Sequence, residues 1–297
     1  VTTPGRTQLV TDPVAMRSWS NDAVRSGRRI GLVPTMGALH DGHLALVRAA
    51  QVRTDLVVVS IFVNPLQFGE AADFDHYPRP IDDDLAACAA AGVDAVYAPT
   101  AATMYPQGFQ TRVVPGPLAR VMEGRSRPGH FDGVATVVTK LFAAVRPDVA
   151  VFGEKDFQQL AVVRQLATDL DLGVDVVGHP TVREPDGLAM SSRNRRLTAP
   201  ERHAARCVPR AVSAALLRAS EPSVSVDEVL AAARQPISDE PLAALDYVAV
   251  FDARALTEVE VFDPARRRPG NYRLALAVRL GDVRLIDNAD LFDDLGA

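Results

Sequence analysis

The first half of the chain alternates short apolar runs with stretches of helical period. Ile30-Gly31-Leu32-Val33-Pro34 is an apolar run closed by a turn-former, and it predicts a first buried strand. Leu44 to Ala50 has helical character. Leu56 to Val63 is rich in β-branched residues, the composition of a central parallel strand covered on both faces. Asp82 to Ala91 predicts a helix with Gly92 at its stop, and Asp94 to Tyr97 the strand that follows. Val134 to Val145 then predicts a helix, Val149 to Phe152 a strand, and Phe157 to Leu170 a helix. Val174 to Gly178 is the closing strand. Strands and helices alternating at these lengths predict an α/β fold with a doubly wound parallel sheet.

The pattern changes after Glu184-Pro185-Asp186-Gly187, a turn-rich break read as a hinge. Pro200 to Ala219 and Val226 to Arg234 are Ala/Leu-rich helical stretches. Asp246 to Phe251, Tyr272 to Leu280 and Val283 to Asn288 are strand-like, the last two flanking Gly281-Asp282 as in a hairpin with a two-residue turn. Two domains are expected: residues 1–183, and a smaller α+β domain over 184–297. Repeats and low-complexity tracts are absent.

Composition narrows the classes. With 297 residues, 47% hydrophobic and 23% charged, the chain is of ordinary globular type. No apolar run approaches the ~18 residues of a transmembrane helix. Val1 to Gly5 lacks a basic and an apolar region, so a secretory leader is not expected. Cys88 and Cys207 stand far apart, outside any metal-ligand spacing, which fits a reducing cytoplasm. A net charge of −5 does not favour a nucleic-acid surface. Of 32 basic residues only Lys140 and Lys155 are lysines.

Three segments carry candidate chemistry. Pro34-Thr35-Met36-Gly37-Ala38-Leu39-His40-Asp41-Gly42-His43 joins the first strand to the next helix. Ligands of open α/β sheets bind beyond the carboxyl ends of strands, where helix N-termini present N–H groups. Two imidazoles three apart at such a start, with Gly42 permitting close approach, suit a polyphosphate. Either histidine alone reads as a surface residue in a turn; the whole arrangement favours the phosphate site. It is not a P-loop. Gly153-Glu154-Lys155-Asp156 again follows a buried strand, and a lysine there can neutralise charge that builds as pyrophosphate departs. A mixed-charge surface loop is the plain alternative, weakened by the scarcity of lysine. Met190-Ser191-Ser192-Arg193-Asn194 places two hydroxyls before a guanidinium, a compact phosphate clamp in company with the other two segments. Gln67 and Gln159 fit either an amide site for a polar acid or surface amides, and spacing does not separate the two.

These segments together resemble the pantothenate synthetases, the family that joins pantoate to β-alanine. The likeness rests on Pro-Thr-Met-Gly-Ala-Leu-His-x-Gly-His, Phe-Val-Asn-Pro-x-Gln-Phe, Arg-Pro-x-His-Phe, Gly-Glu-Lys-Asp-Phe-Gln-Gln-Leu and Asp-Gly-Leu-Ala-Met-Ser-Ser-Arg-Asn, in that order over residues 30–196. The C-terminal third matches in pattern, with Leu285-Ile286-Asp287-Asn288 as its landmark. More widely the chain is similar to nucleotidyltransferases with paired His-x-Gly-His and Met-Ser-Lys-Ser-type signatures. The resemblance implies a Rossmann-like N-terminal domain, a smaller C-terminal domain partly covering the site, and a cytoplasmic homodimer. It implies ATP against Met36 to His43 (Met36, Gly37, Ala38, Leu39, His40, Asp41, Gly42, His43). It extends that site to Gly153, Glu154, Lys155, Asp156, Val182, Met190, Ser191, Ser192 and Arg193. Pantoate is expected on Gln67 and Gln159, with β-alanine near Gln67 and Asn64 close by. Pro34, Met36, Phe62, Val137 and Val138 are the expected apolar wall. His43 holds the family's proton-donor position, and His130 is expected on a mobile segment near the substrates. Some relatives carry a second cation site made by two acidic residues and a glutamine. Asp83 and Asp84 match it but Ala87 replaces the glutamine, so a solvated acidic helix start is expected there, with Mg²⁺ arriving chelated by ATP.

The implied reaction has two steps. Pantoate carboxylate attacks the α-phosphorus of ATP to give pantoyl adenylate and pyrophosphate; the β-alanine amine then displaces AMP. Lys155, His40, His43, Ser191, Ser192 and Arg193 are expected to stabilise phosphate charge. The rivals are a nucleotidyltransferase that leaves the nucleotide on its product, a nucleotide-binding regulator with a dead site, and an RNA-charging enzyme. Intact His40, His43, Lys155 and Arg193 oppose the second. The third lacks an anticodon-binding extension and a basic surface.

Overall fold

A computed structural model of the chain describes residues 7–68 and 74–293; Val1 to Gly5 lies outside them. The described residues form two compact units. One comprises those within Val1–Arg120, Gly124–Glu154 and Gln159–Pro180, and the other those within Val121–Glu123, Lys155–Gln158 and Thr181–Ala297.

The first unit is built on a six-stranded parallel sheet of order β1-β4-β3-β2-β5-β6. Its strands are β1 Gln8–Val10, β2 Ile30–Thr35, β3 Leu56–Ile61, β4 Ala95–Tyr97, β5 Val149–Gly153 and β6 Asp175–His179. Its longer helices are α1 Pro13–Arg25, α2 Asp41–Gln51, α3 Ile81–Ala90, α4 His130–Val145 and α5 Phe157–Asp169, the last beginning with two residues of the other unit. Successive strand residues point to opposite faces. Ile30, Leu32, Leu56, Val58, Ala150 and Phe152 pack with α1, α4 and α5, whereas Val33, Val57, Val59, Val149 and Val151 pack with α2 and α3. Burial on both faces is why these strands read as unbroken apolar runs. The chain winds outward from β2 through β3 to β4, then returns to add β5 and β6 on the other side. The order therefore reverses between β2 and β5, the position at which open α/β sheets bind ligands.

Sequence patterning missed β1 and α1. β1 is a three-residue edge strand with one buried side chain. α1 buries Met16, Ser20 and Ala23, an i, i+4, i+7 stripe in which only Met16 is a large apolar side chain. The missed signal was its N-terminus: the Asp12 carboxylate accepts from the amides of Val14 and Ala15, with Pro13 following.

The second unit carries an antiparallel sheet, β7 Ala243–Asp252, β8 Tyr272–Leu280 and β9 Val283–Asp290, in that order. Leu280 pairs with Val283 across Gly281-Asp282, the expected two-residue turn. Helices α6 Ala199–Ala204, α7 Cys207–Ala219 and α8 Val226–Ser238 belong to this unit. One helix was expected over Pro200 to Ala219, but Pro209 offers no N–H to the Ala205 carbonyl and its ring crowds it, so the helix divides. The break at Glu184–Gly187 is an ordered turn. Glu184 N–H donates to Leu188 O at 2.8 Å and Gly187 N–H to Glu184 O at 2.8 Å, closing a tight turn. Arg202 pairs with Glu184 at 2.5 Å and with Asp186 at 2.6 Å. The Arg202 hydrogen bond is the main cause that lowers the Asp186 pKa.

Candidate active site

The loop Met36–His40 leaves β2 at the reversal of strand order. Gly37 has φ 83° and Ala38 φ 51°, both left-handed, a conformation that costs a non-glycine residue about 1–2 kcal/mol. Asp84 on α3 holds this turn. Its Oδ2 accepts from Ala38 N–H at 2.8 Å and its Oδ1 from Leu39 N–H at 2.7 Å. A Cβ on Gly37 would stand 2.9 Å from Asp84 Oδ2, so the loop reaches the carboxylate only with glycine there. Asp84 is 2% exposed, which corrects the expected solvated acidic helix start; Asp83 is exposed. Each Asp84 oxygen already accepts an amide, so the geometry accounts for this carboxylate without a cation. Among the described residues no group of three or more His, Cys, Asp or Glu is placed to hold a metal.

The Ala38 and Leu39 amides are engaged by Asp84, and the two imidazoles lie at the start of α2, the end at which a helix attracts an anion. His40 is the N-cap of α2, and its ring stacks on His43 with centroids 4.0 Å apart. The His40 N–H points at His43 Nδ1 at 3.4 Å, which in the neutral ring puts the proton on Nε2. Met36, His40, Gly42 and His43 are half-buried and Asp41 is exposed.

Gln67 sits in a second, more tightly determined nest. Asn64 Nδ2 donates to Gln67 Oε1 at 2.9 Å and to Gly133 O at 3.0 Å. Asn64 Oδ1 accepts from Leu66 N–H at 3.2 Å and from the Tyr105 hydroxyl at 2.7 Å. All four hydrogen-bonding positions of this amide are filled at 1% exposure, and Asn64 orients Gln67 from beside it. Burial pushes the Tyr105 phenol up, keeping it a donor. Gln67 Nε2 lies 3.3 Å from Met36 Sδ, which links the amide to the β2 loop. His130 is buried at the start of α4 with Nδ1 2.8 Å from Gln67 O, and Arg127 donates to the same carbonyl at 3.1 Å. The histidine expected on a mobile segment thus belongs to the frame around Gln67. Phe62, Val137 and Val138 are buried in the same core; Pro34 and Gln159 are half-buried.

The remaining predicted residues lie beyond β5 and in the second unit. Gly153 ends β5 and Glu154, Lys155 and Asp156 form one 3₁₀ turn. Lys155 Nζ is 3.8 Å from Asp156 Oδ2, a long pair with an exposed carboxylate. Asn288 Nδ2 donates to Lys155 O at 2.8 Å. Arg183 and Ala189 form an isolated antiparallel bridge flanked by Val182 and Met190, and the Met190 N–H donates to Val182 O at 2.9 Å. The Ser191 hydroxyl accepts from Arg193 N–H at 3.2 Å, opening a 3₁₀ turn in which Ser192 is buried while Ser191 and Arg193 are half-buried. Below it Arg183 forms a two-pronged pair with buried Asp287 at 2.6 and 3.0 Å. Burial works to lower the Arg183 pKa, but the Asp287 hydrogen bond and charge prevail and raise it.

Sequence reasoning missed Asp84 as an anchor, Tyr105, Gln158 and Glu123. Gln158 accepts from Glu123 N–H at 3.0 Å and donates to Val121 O at 2.8 Å. Glu123 pairs with Arg284 at 2.7 Å and accepts from the Tyr247 hydroxyl at 2.8 Å. Nothing local to Glu123 marks it; Arg284 is 161 residues away.

Comparison with known proteins supplies the chemistry. The family model described as pantoate-beta-alanine ligase matches residues 8–290. A pantothenate synthetase of Trichlorobacter lovleyi is 49% identical over 96% of this chain and 99% of its own length. One of Heliobacterium modesticaldum is 52% identical over 95% of this chain and 98% of its own. Among solved structures, the Thermus thermophilus pantothenate synthetase superposes with a TM-score of 0.89 at 43% identity, covering 97% of this chain and all (100%) of that one. A Francisella tularensis pantoate-beta-alanine ligase, solved with a β,γ-ATP ligand and β-alanine, gives 0.78 at 33% identity, covering 96% and 98%.

Proposed function

The chain belongs to the pantoate–β-alanine ligase family, and from that membership we propose how its own residues divide the reaction. The enzyme condenses pantoate with β-alanine at the expense of ATP, through pantoyl adenylate, giving pantothenate, AMP and pyrophosphate. A free carboxylate is a poor acyl donor because oxide is a poor leaving group. Transfer to the α-phosphorus turns that oxygen into part of AMP, and the amine then attacks the acyl carbon.

The β2 loop and the start of α2 hold the ATP phosphates, and the observation that carries this reading is the pair of Asp84 hydrogen bonds. They fix a strained turn so that His40 and His43 stand at a helix N-terminus at the sheet's switch point. His43 Nε2–H donates to phosphate oxygen. Lys155 and Arg193 offset negative charge as pyrophosphate departs, with Ser191 as a further donor and Ser192, being buried, as support for the turn. Val182 and Met190 line the nucleotide. Gln67 and Gln159 hold the pantoate hydroxyls and carboxylate, Gln67 through an amide oriented by Asn64. Phe62, Pro34, Val137 and Val138 exclude water around the acid, and Mg²⁺ comes and leaves with the nucleotide. Neither cysteine takes part. A cytoplasmic homodimer acting without nucleic acid is inferred from family likeness, and sedimentation in solution tests the dimer. Among the described residues no helix is long and apolar enough to cross a membrane.

Lys155→Met tests the division of roles, since it keeps a similar stem and deletes the ammonium. Pantoate-dependent ATP–pyrophosphate exchange falls by about 10²-fold or more, while supplied pantoyl adenylate is converted with β-alanine near the parent rate. Unchanged exchange removes Lys155 from the phosphate site. Release of AMP, rather than a nucleotide-bearing end product, separates this reaction from nucleotidyl transfer.

A further inference from the structure

We propose that Asn288 is a positioning residue for Lys155, acting from the β8–β9 hairpin on the peptide that carries the lysine. Among the described residues the ammonium's ion pair is a long one, with Asp156 at 3.8 Å, so its placement depends on its own backbone. That backbone is gripped from the antiparallel sheet. Asn288, 5% exposed on β9, donates through Nδ2 to the Lys155 carbonyl at 2.8 Å. Its Oδ1 accepts from Arg273 Nε at 3.1 Å, and its own N–H donates to Asp287 Oδ1 at 2.8 Å. The amide therefore cannot rotate without breaking bonds at both ends.

Arg273 completes the grip. Asn288 is paired with Ala275 in the β8–β9 ladder, so Arg273, two residues earlier, lies diagonally beside it on the same face. The Arg273 guanidinium sits 4.2 Å above the Phe157 ring, and Phe157 packs against Phe251 of β7 with centroids 5.9 Å apart. One hairpin face thus holds the segment at Lys155 through a carbonyl and at Phe157 through a ring. This is the physical reason Lys155–Gln158 clusters with residues more than a hundred positions later and not with the strand that precedes it. The peptide that carries the ammonium is thus held by the C-terminal sheet.

The inference rests on the reading of Lys155 as the phosphate cation, and the test separates the two. Asn288→Ala, in the full chain, is compared with Lys155→Met and the double variant in pantoate-dependent ATP–pyrophosphate exchange. The second readout is conversion of supplied pantoyl adenylate with β-alanine. A misplacement on the scale of an ångström costs on the order of tenfold to a hundredfold in the exchange rate. The expected result is such a loss for Asn288→Ala, little change in the second half-reaction, and no added loss in the Lys155→Met background, because residues acting through one group are non-additive. Parent-like exchange in Asn288→Ala, or losses that multiply in the double variant, overturns the inference while the Lys155 reading stands. Unchanged exchange in Lys155→Met overturns both. Should Asn288→Ala fail to fold, Arg273→Met, which removes the guanidinium that fixes the amide, is held to the same outcomes.

Discussion

Replacing Asp84 by asparagine keeps its shape and removes its charge and one of its two acceptors. The Ala38 and Leu39 amides, at 2.8 and 2.7 Å, each need an acceptor, and an asparagine offers one carbonyl oxygen and an NH₂ group. One buried amide then faces a donor. A hydrogen bond to a charged group is worth about 1.5–3 kcal/mol, and the orphaned amide falls in the same range, so the held loop loses about 2–3 kcal/mol. Ala38 is then held less firmly at its φ of 51°. At ~1.4 kcal/mol per factor of ten, the competent loop becomes about 30- to 150-fold less populated. Pantoate-dependent ATP–pyrophosphate exchange is the assay, with the ATP requirement and thermal unfolding measured beside it. Asp84→Asn is expected to lose exchange on that scale, to need more ATP, and to remain folded. Asp83→Asn, altering an exposed carboxylate one residue away, is expected to behave like the parent. Equal losses in both variants, relieved by added Mg²⁺, refute the anchoring argument in favour of a paired-carboxylate cation site. Intact exchange in Asp84→Asn refutes it outright.

Gly133→Ala puts a methyl group 2.3 Å from Leu66 O and 2.6 Å from Gln67 N, backbone atoms that cannot swing aside. The expected outcome is a raised pantoate requirement with a smaller change in that for ATP, read from steady-state kinetics; equal changes in both point to general loosening. Cys88 and Cys207 are buried, and burial is the main cause that pushes each thiol up to about 11 from 9.0. Both should resist thiol reagents in the native enzyme near pH 8 and react once it is unfolded. Because the folded state favours the protonated thiol, their share of stability is full below about pH 9 and is lost as pH rises toward 11. Chemical denaturation across that range checks it; stability rising there contradicts the sign.

Much of the catalytic unit was legible because the signals involved are local. β2, β3 and β5 are covered on both faces, so their runs are apolar whatever their order in the sheet. His40 and His43 open the helix that follows β2 and Lys155 lies two residues after β5, and the strand–turn–helix pattern marks them without any long-range contact. Order and partnership are different matters. An aspartate in a run of three looks solvated until α3 is packed beside the β2 loop, when one carboxylate proves to hold two amides about 45 residues earlier in the chain. The four hydrogen bonds that exhaust Asn64 come from its own turn, from Tyr105 and from the carbonyl of Gly133. An amide with those partners has the same sequence signature as one free for substrate. Asn288 and Lys155 are 133 residues apart, and Glu123 and Arg284 are 161 apart. Hydrophobic periodicity specifies which face of an element is covered, but carries no label for the polar group on the other side. That choice is made when the elements pack, because a buried donor or acceptor must take whichever partner the tertiary arrangement brings within 3 Å or so.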